Sequence, residues 1–167
     1  MQNPVSMVRS NVQETTKVAL IAALYVTVTL VLAVISFGAV QLRLSEMFNY
    51  LILFHKRYIV AVTLGVVLAN LFSPMWWIDV PVGGLATFIV LIICRMVTKS
   101  MKNLVWKLVI TGVVFTASMF TVAAQLMIVL DLPFWPTYGT VAIGEAFSML
   151  IGGITIFLLQ KKIDFTK

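Results

Sequence analysis

The side chains in this sequence that could do chemistry are a few carboxylates and amides within or beside long apolar segments. Glu145 is the clearest, because it lies roughly 10 Å inside the last of these segments at about 1.5 Å per helical residue. An unpartnered carboxylate at that depth in a membrane is costly and is a functional residue by default. It could bind a ligand or carry a proton. Glu46, near the start of an earlier segment, is a second candidate.

Catalytic and metal chemistry have few residues to draw on. The single histidine, His55, stands in a Lys-Arg cluster and is best interpreted as a loop residue. The single cysteine, Cys94, allows neither an intramolecular disulfide nor a cysteine-rich metal site. No G-x-x-x-x-G-K-[ST] segment is present, so we expect no ATP hydrolysis by this chain alone. The sequence predicts no enzyme activity, no metal and no cofactor.

The composition places these residues in lipid. A soluble domain carries roughly 25% charged residues, whereas this chain of 167 residues is 11% charged and 61% hydrophobic. Its formal charge of +6 is spread between apolar runs. A nucleic-acid footprint needs basic residues clustered on one folded face, so no nucleic-acid partner is expected. We predict an all-α integral membrane protein.

Gaps between charged residues predict six membrane-spanning helices in a single membrane domain covering residues 1–167. They lie at about residues 18–38, 42–54, 58–72, 80–97, 108–130 and 138–160. The second is short, since its apolar part from Leu44 to Phe54 would cover, as an α-helix, only about 16 Å of a roughly 30 Å core. Five spans would need a continuous helix over 46–72, burying Lys56 and Arg57 at roughly 2.5–3.5 kcal/mol each. We therefore expect six spans, with a loop that dips into the protein before the second.

The basic residues predict the orientation of the bundle. With six spans and both termini cytoplasmic, Arg43 is the only outer residue among the twelve Lys and Arg. The cytoplasmic set is Arg9, Lys17, Lys56, Arg57, Arg95, Lys99, Lys102, Lys107, Lys161, Lys162 and Lys167. This distribution follows the positive-inside rule.

The same topology collects the polar and aromatic residues in the outer half of the bundle. They are Arg43, Glu46, Asn70, Asp79, Gln125, Glu145, Trp76, Trp77 and Trp135. This distribution indicates a polar pocket that is open to the outside and closed below. Alternatives stay open: the tryptophans could be interface anchors, Asp79 a solvated loop residue, and Asn70 a helix cap. Arg43 and Glu46 could form an ion pair of their own.

Two ridges of small residues indicate close helix packing. Gly144, Ser148 and Gly152 follow a small-xxx-small spacing beside Glu145, which allows a neighbouring helix to approach and turns Glu145 into the bundle. Ala19 and Ala23 form a second ridge with no polar residue on it. That ridge suits docking of another membrane helix, or internal packing.

Three classes of function fit an outward polar pocket without a motor. The first is a capture subunit whose motor lies on other chains. The second is a proton-coupled secondary transporter of a small cationic or heterocyclic solute that uses Glu145. The third, outside transport, is an assembly subunit of a membrane complex.

Several separated segments resemble the QueT family. They are Ile35-Ser36-Phe37-Gly38, Gln41-Leu42-Arg43-Leu44-Ser45-Glu46, Ala69-Asn70-Leu71-Phe72-Ser73-Pro74, Asp79 with Gly83-Gly84, Leu132-Pro133-Phe134-Trp135 and Gly144-Glu145. The resemblance covers nearly the whole chain, from about residue 17 to 162.

The resemblance implies a substrate-binding S component of an energy-coupling factor (ECF) transporter in a prokaryotic plasma membrane. Such a chain has six helices and cytoplasmic termini, binds its ligand at the outer side, and works with a membrane coupling protein and two ATPases. Docking would use the small residues of the first helix, here Ala19 and Ala23. The implied ligand is a queuosine precursor: a 7-deazaguanine such as the aminomethyl form (preQ1), or queuine.

Roles for the site residues follow from that ligand. A guanine-like edge offers two N–H donors to one carboxylate, and an aminomethyl cation needs a second; the acids available are Glu145, Glu46 and Asp79. Stacking is expected from Trp76, Trp77, Trp135 and Tyr138 at about 1–3 kcal/mol per base. Asn70 and Gln125 could read the carbonyl and ring nitrogens, and Arg43 is assigned to orienting Glu46.

Overall fold

A computed structural model of the chain describes residues 4–38 and 41–166, with side chains from residue 12 onward. All regular structure in these ranges is helical, which confirms the all-α prediction. Two of the cations predicted to be cytoplasmic are not covered, since Lys167 and the side chain of Arg9 lie outside the described residues.

Ten helical elements follow one another in the described chain. They are α1 (Pro4–Val31), α2 (Ala33–Ser36), a 3-10 helix (Leu44–Leu53), α3 (Arg57–Asn70), α4 (Trp76–Ile78), a π-helical turn (Asp79–Gly83), α5 (Gly84–Thr98), α6 (Leu104–Ser118), α7 (Phe120–Leu130) and α8 (Phe134–Leu159). Within the described ranges, four helical stretches are long and apolar enough to cross a membrane: Val12–Val31, Trp76–Thr98, Leu104–Leu130 and Phe134–Leu159. The helix Arg57–Asn70 is apolar but shorter.

The distribution of side chains is inverted relative to that of a soluble protein. On α8, Ile143, Phe147 and Leu150 are exposed, whereas Glu145 and Ser148 on the same helix are buried. A soluble protein rarely leaves so much contiguous apolar surface open to water. The inversion therefore indicates a lipid surround, with polar groups satisfied inside the bundle.

The residues of the second predicted span form the 3-10 helix, which is longer than an α-helix of the same residues would be. A 3-10 helix rises about 2.0 Å per residue, so ten residues reach about 20 Å rather than the 15 Å of an α-helix. With three residues per turn, Glu46 and Asn49 fall on one face. Most of this helix is buried, including Ser45, Glu46 and the run from Phe48 to Ile52.

The predicted fifth span is interrupted, which the uncharged run did not show. The helix breaks at Met119, between α6 and α7. Ser118 donates its hydroxyl to the carbonyl of Phe115 at 2.7 Å, and Thr121 donates to the carbonyl of Ser118 at 2.9 Å. Hydroxyls that bond back to the preceding turn compete with the helical ladder and bend helices.

Two predicted connectors are helical instead. Helix α8 begins at Phe134 and includes Pro136 in its first turn. A proline is tolerated there because the N–H groups of the first turn have no carbonyl partner within the helix, so the missing N–H costs no hydrogen bond. The residues predicted to connect the third and fourth spans are helical from Trp76, and Pro81 lies in the π-helical turn. Proline lacks an N–H, so a widened turn at this point leaves no donor unpaired.

Glycines mark the closest contacts in the bundle. A Cβ on Gly65 of α3 would lie 2.7 Å from the Cβ of Tyr25 on α1. A Cβ on Gly152 of α8 would lie 2.7 Å from the Cα of Met47, so α8 approaches the backbone of the 3-10 helix. Gly144 and Ser148 are buried on the same seam, as the small-residue ladder predicts.

The far end of the bundle from Glu145 is held by the C-terminal segment. Arg57 pairs with Glu14 of α1 and donates to the carbonyl of Thr166 at 2.9 Å. His55 accepts the backbone N–H of Arg57 at its Nδ1, 3.1 Å away, and so satisfies a donor at the start of α3. Burial, and then the charge of Arg57, lower the pKa of His55, which keeps the accepting form.

Candidate ligand-binding site

A polar cavity lies between the 3-10 helix, α5, the α6–α7 break and α8. Four of the predicted site residues line it together: Arg43, Glu46, Gln125 and Glu145. Its apolar wall includes Val66, Val90 and the ring of Phe115. The enclosed part measures about 60 Å³, which holds roughly four to six water molecules. The helix break at Met119 faces this cavity, because Ser118, Met119 and Thr121 line it as well.

Glu46 is the acid whose hydrogen bonds are already made. Tyr25 donates its hydroxyl to Glu46 Oε1 at 2.6 Å, and Asn49 donates its amide to Oε2. Thr29 donates to the hydroxyl of the adjacent Ser45 at 2.7 Å. Both carboxylate oxygens of Glu46 thus have protein donors, and the residue ties α1 to the 3-10 helix.

Glu145, unlike Glu46, has a carboxylate oxygen without a hydrogen-bond donor. Its side chain is buried at 3% exposure, and its Oε1 has no hydrogen-bond partner. Leaving a buried polar atom unpaired costs about 1–3 kcal/mol, more when it is charged. Unpaired buried groups are rare in native structures and call for an explanation. Because Glu145 also lines the cavity, its incompletely bonded carboxylate is available to a ligand's N–H groups.

Arg43 does not pair with Glu46, contrary to the role assigned to it from the sequence. Its Nε donates to the carbonyl of Ser36 at 3.2 Å, and one terminal nitrogen donates to Asn70 Oδ1 at 3.3 Å. Its guanidinium carbon lies 5.4 Å from the centroid of the Phe37 ring. The fixed fork of arginine donors therefore connects the ends of α2 and α3. Tyr25 and Asn49, rather than Arg43, position Glu46.

Asp79 is the centre of a second network above the cavity. Ser73 and Gln125 donate to its two carboxylate oxygens, and Asn70 donates to its backbone carbonyl at 2.9 Å. The side chain of Asn70 therefore connects Arg43 to the backbone of Asp79, and the residue is not only a helix cap. A Cβ on Gly83 would lie 2.6 Å from Asn70 Nδ2, so this position needs glycine. Asp79 is committed to protein partners in this arrangement.

The predicted stacking residues lie outside the cavity. Trp76, Trp77 and Trp135 are 55%, 57% and 76% exposed, and none of them lines it. Tyr138 donates to the carbonyl of Ala117 at 3.4 Å, and its ring stacks on Phe134. Their contact with a ligand stays a prediction, and their exposure fits aromatic residues at a membrane interface.

The sequence reading missed several residues of the site. Tyr25 and Asn49 hold Glu46, while Gln41, Thr87 and Thr121 add polar groups to the cavity. The contact between Asn49 and Glu46 could have been predicted, because the two residues are three apart and would share a face of a 3-10 helix, which has three residues per turn. Tyr25 had none, since nothing in an uncharged segment distinguishes a tyrosine that binds a carboxylate from one that packs.

Comparison with known proteins identifies the family to which the chain belongs. A protein-family model described as QueT transporter matches residues 15–162. The chain belongs to the QueT transporter family. The curated Queuosine precursor transporter QueT of Lactococcus lactis subsp. cremoris (strain MG1363) is 36% identical over 170 residues, covering 96% of this chain and 100% of the relative. No solved structure matches the chain.

Membership in the QueT family confirms the resemblance found in the sequence motifs. It makes the chain a transport protein rather than an enzyme. Together with the apolar helices, it also makes the chain a membrane protein. The family match covers all of the cavity residues, from Gln41 to Glu145.

The alanine ridge of this QueT-family chain lies on the outside of α1. Ala19 and Ala23 are both exposed, and Leu20 and Leu24 beside them are exposed too. Ala22 on the same helix is buried. Of the two alternatives that the sequence left open, internal packing is therefore wrong for this ridge within the isolated chain.

Proposed function

We propose that this chain is the substrate-binding S component of an ECF-type importer and captures a queuosine precursor from outside. The observation that carries the proposal is Glu145, which lines a polar cavity and whose buried Oε1 has no hydrogen-bond partner. The name of the Lactococcus lactis relative supports the substrate class. A carrier site needs a polar group whose bonds are completed by its cargo, and Glu145 meets that need.

The chemistry of the cavity suits a 7-deazaguanine. Its guanine-like edge presents two adjacent N–H donors, which one carboxylate accepts in a bidentate manner. Glu145 has a free oxygen for this role, whereas Glu46 already accepts from Tyr25 and Asn49. The negative charge of Glu46 nonetheless favours the aminomethyl cation of preQ1 in the same cavity. Gln41 and Gln125 offer amides to the polar atoms of the ring.

A two-ring base is larger than the enclosed part of the cavity, so the ligand must widen it. Met119 sits at the helix break and lines the cavity with a flexible side chain. Methionine adapts its shape more readily than branched residues do. We infer that Met119 and the neighbouring break accommodate the ring, and that Phe115 covers one of its faces.

The topology we propose has six crossing segments and cytoplasmic termini, in the plasma membrane of a prokaryote. The 3-10 helix and α3 serve as the second and third crossings. Lys56, Arg57, Lys99 and Lys161 lie at helix ends on the inner side, and Asp79 and Asp131 on the outer side. This arrangement satisfies the positive-inside rule, and it opens the cavity outward.

The partners we propose are a membrane coupling protein and two cytoplasmic ATPases. The exposed ridge of Ala19 and Ala23 is the docking site for a helix of the coupling protein, because small side chains let two helix backbones approach closely. Changing Ala23 to Trp should abolish co-purification with the coupling protein while leaving ligand binding intact. Ala142→Trp on α8, away from this ridge, is the size-matched control.

The test of the substrate is mass spectrometry of the ligand that co-purifies with the detergent-solubilised protein. We expect a 7-deazaguanine, and titration should rank preQ1 and guanine above adenine, which lacks the paired donors next to a carbonyl. A different vitamin in the purified protein, or equal affinity for adenine, overturns the proposed ligand and leaves the family intact.

The unpartnered Glu145 also fits a proton-coupled secondary transporter. Purified protein in liposomes separates the two functions. A capture subunit takes up no solute under a proton gradient unless its coupling protein, the ATPases and ATP are supplied. Uptake by the chain alone, lost in Glu145→Gln, would instead establish the secondary transporter.

A further inference from the structure

A long apolar groove runs along the outside of the bundle between α6 and α8. Val105, Gly112 and Ala117 line it on α6, and Ala146, Gly153 and Phe157 line it on α8. It is about 800 Å³ in volume. The groove exists because small residues face each other across the helix pair. Its floor is the Tyr50 hydroxyl, which would lie 3.0 Å from a Cβ on Gly112 and 3.3 Å from one on Gly153.

The groove is as long as the membrane is thick. Its lining on α8 extends from Tyr138 to Leu158. At about 1.5 Å per residue this distance is roughly 30 Å, the depth of a bilayer's hydrocarbon core. A chain-shaped apolar molecule that enters from the inner face would therefore be in contact with the protein along its full length.

Two lysines stand at the inner end of the groove. The Lys161 Nζ lies 4.9 Å from the ring centroid of Phe157, which lines the groove. Lys102 is exposed and comes three residues before Val105, at the start of the α6 wall. Among the described side chains, the ion pair found is Arg57–Glu14, so neither lysine has a carboxylate partner there.

We propose that the groove binds an anionic phospholipid of the inner leaflet, with an acyl chain between α6 and α8 and its phosphate at Lys102 and Lys161. Basic pockets between helices on the cytoplasmic side attract anionic headgroups. The lysines at one end of the apolar groove favour a lipid over a partner helix as its occupant. A docking helix would use the apolar walls but would need no cations at one end.

The experiment is native mass spectrometry of the intact detergent-purified chain with phosphatidylglycerol or phosphatidylcholine carrying the same oleoyl chains. We expect the anionic lipid to be retained at least about threefold more than the zwitterionic one. The double variant Lys102→Gln/Lys161→Gln should bring both lipids to the same level, since only the headgroup contact is removed. Ala146→Phe should reduce retention of both, because the ring fills the groove.

Matched controls keep the outcomes distinct. Lys99→Gln removes an exposed lysine at the end of α5, and Ile143→Phe adds a ring on an exposed α8 position outside the groove. Both should retain lipid as the native chain does. Equal retention of the two lipids by the native chain, or unchanged selectivity in the double lysine variant, overturns the proposal. A cross-link between Ala146→Cys residues of two copies would likewise overturn it, by showing a protein in the groove.

Discussion

Glu46 and Glu145 line one cavity, but only Glu46 has both carboxylate oxygens occupied by protein donors. The hydroxyl of Tyr25 and the amide of Asn49 make Glu46 part of the framework. Glu145 has a buried oxygen with no partner, on a helix packed tightly enough to hold it in place. The difference assigns the two acids different tasks: Glu46 sets the shape and charge of the site, and Glu145 contacts what enters it.

Changing Glu145 to Gln should weaken ligand binding at least about tenfold, or ~1.4 kcal/mol. The amide keeps the size of the side chain but replaces one acceptor oxygen by an NH₂ donor, so it cannot accept two parallel N–H groups in a bidentate manner. Isothermal titration with preQ1 measures the loss, and the thermal midpoint in detergent should stay within a few degrees. Asp131→Asn, which changes an exposed carboxylate outside the cavity to an amide, is the control. Unchanged affinity in Glu145→Gln would return this residue to a structural role.

Changing Tyr25 to Phe should lower the free energy of unfolding by about 1–3 kcal/mol, because the variant leaves a buried carboxylate oxygen without its donor. Ligand affinity should fall as well, since Glu46 is then free to shift. Thermal unfolding followed by tryptophan fluorescence measures the first effect. Tyr138→Phe removes a hydroxyl from a 3.4 Å contact and should change neither quantity. If both variants behave alike, Tyr25 does not hold Glu46.

Two glycines of α8 provide a matched pair for the helix seam. Gly152→Ala places a Cβ against the backbone of Met47 and should destabilise the protein by about 1–3 kcal/mol through overpacking. Gly139→Ala meets nothing within 4 Å, and it should be neutral or stabilise by up to about 1 kcal/mol through helix propensity. Chemical denaturation of the two variants in the same detergent measures both changes in the free energy of unfolding. A stable Gly152→Ala would mean that the seam is looser than described.

Changing Asp79 to Ala should loosen the segment 73–83, which precedes α5. It removes the acceptor of Ser73 and Gln125, and the segment 73–83 loses its link to α7. Amide hydrogen exchange in that segment should quicken at least about tenfold, with α8 unaffected. Asp79→Asn can still accept from one partner and should show a smaller effect. Equal exchange in all three proteins would show that the loop is held by other contacts.

Much of the architecture could be read from the chain because membrane proteins must hide every backbone polar group in helices. Uncharged runs therefore identified the apolar helices, and the burial of Glu145 was expected from its depth in one of them. The breaks were harder to foresee. Whether a segment winds as a 3-10 helix, as Leu44–Leu53 does, depends on what it packs against.

The partners of the site residues also depended on the folded structure. Tyr25 and Glu46 are 21 residues apart in sequence, and Asp79 and Gln125 are 46 apart. Local patterns report helix faces and turn residues, but they do not report which distant donor reaches a given carboxylate. For that reason the sequence assigned Arg43 to Glu46, whereas in the structure Arg43 donates to Ser36 and Asn70, although both Arg43 and Glu46 line the cavity.

The sequence by itself determined that the chain is an apolar helical transporter of the QueT family, with a few acidic residues among its helices. Composition, charge spacing and ordered motifs carry that information, because lipid selects for them along the chain. Only the tertiary structure decided which acid is free. Hydrogen-bond satisfaction is a property of side chains brought together in space, and it distinguishes Glu145 from Glu46.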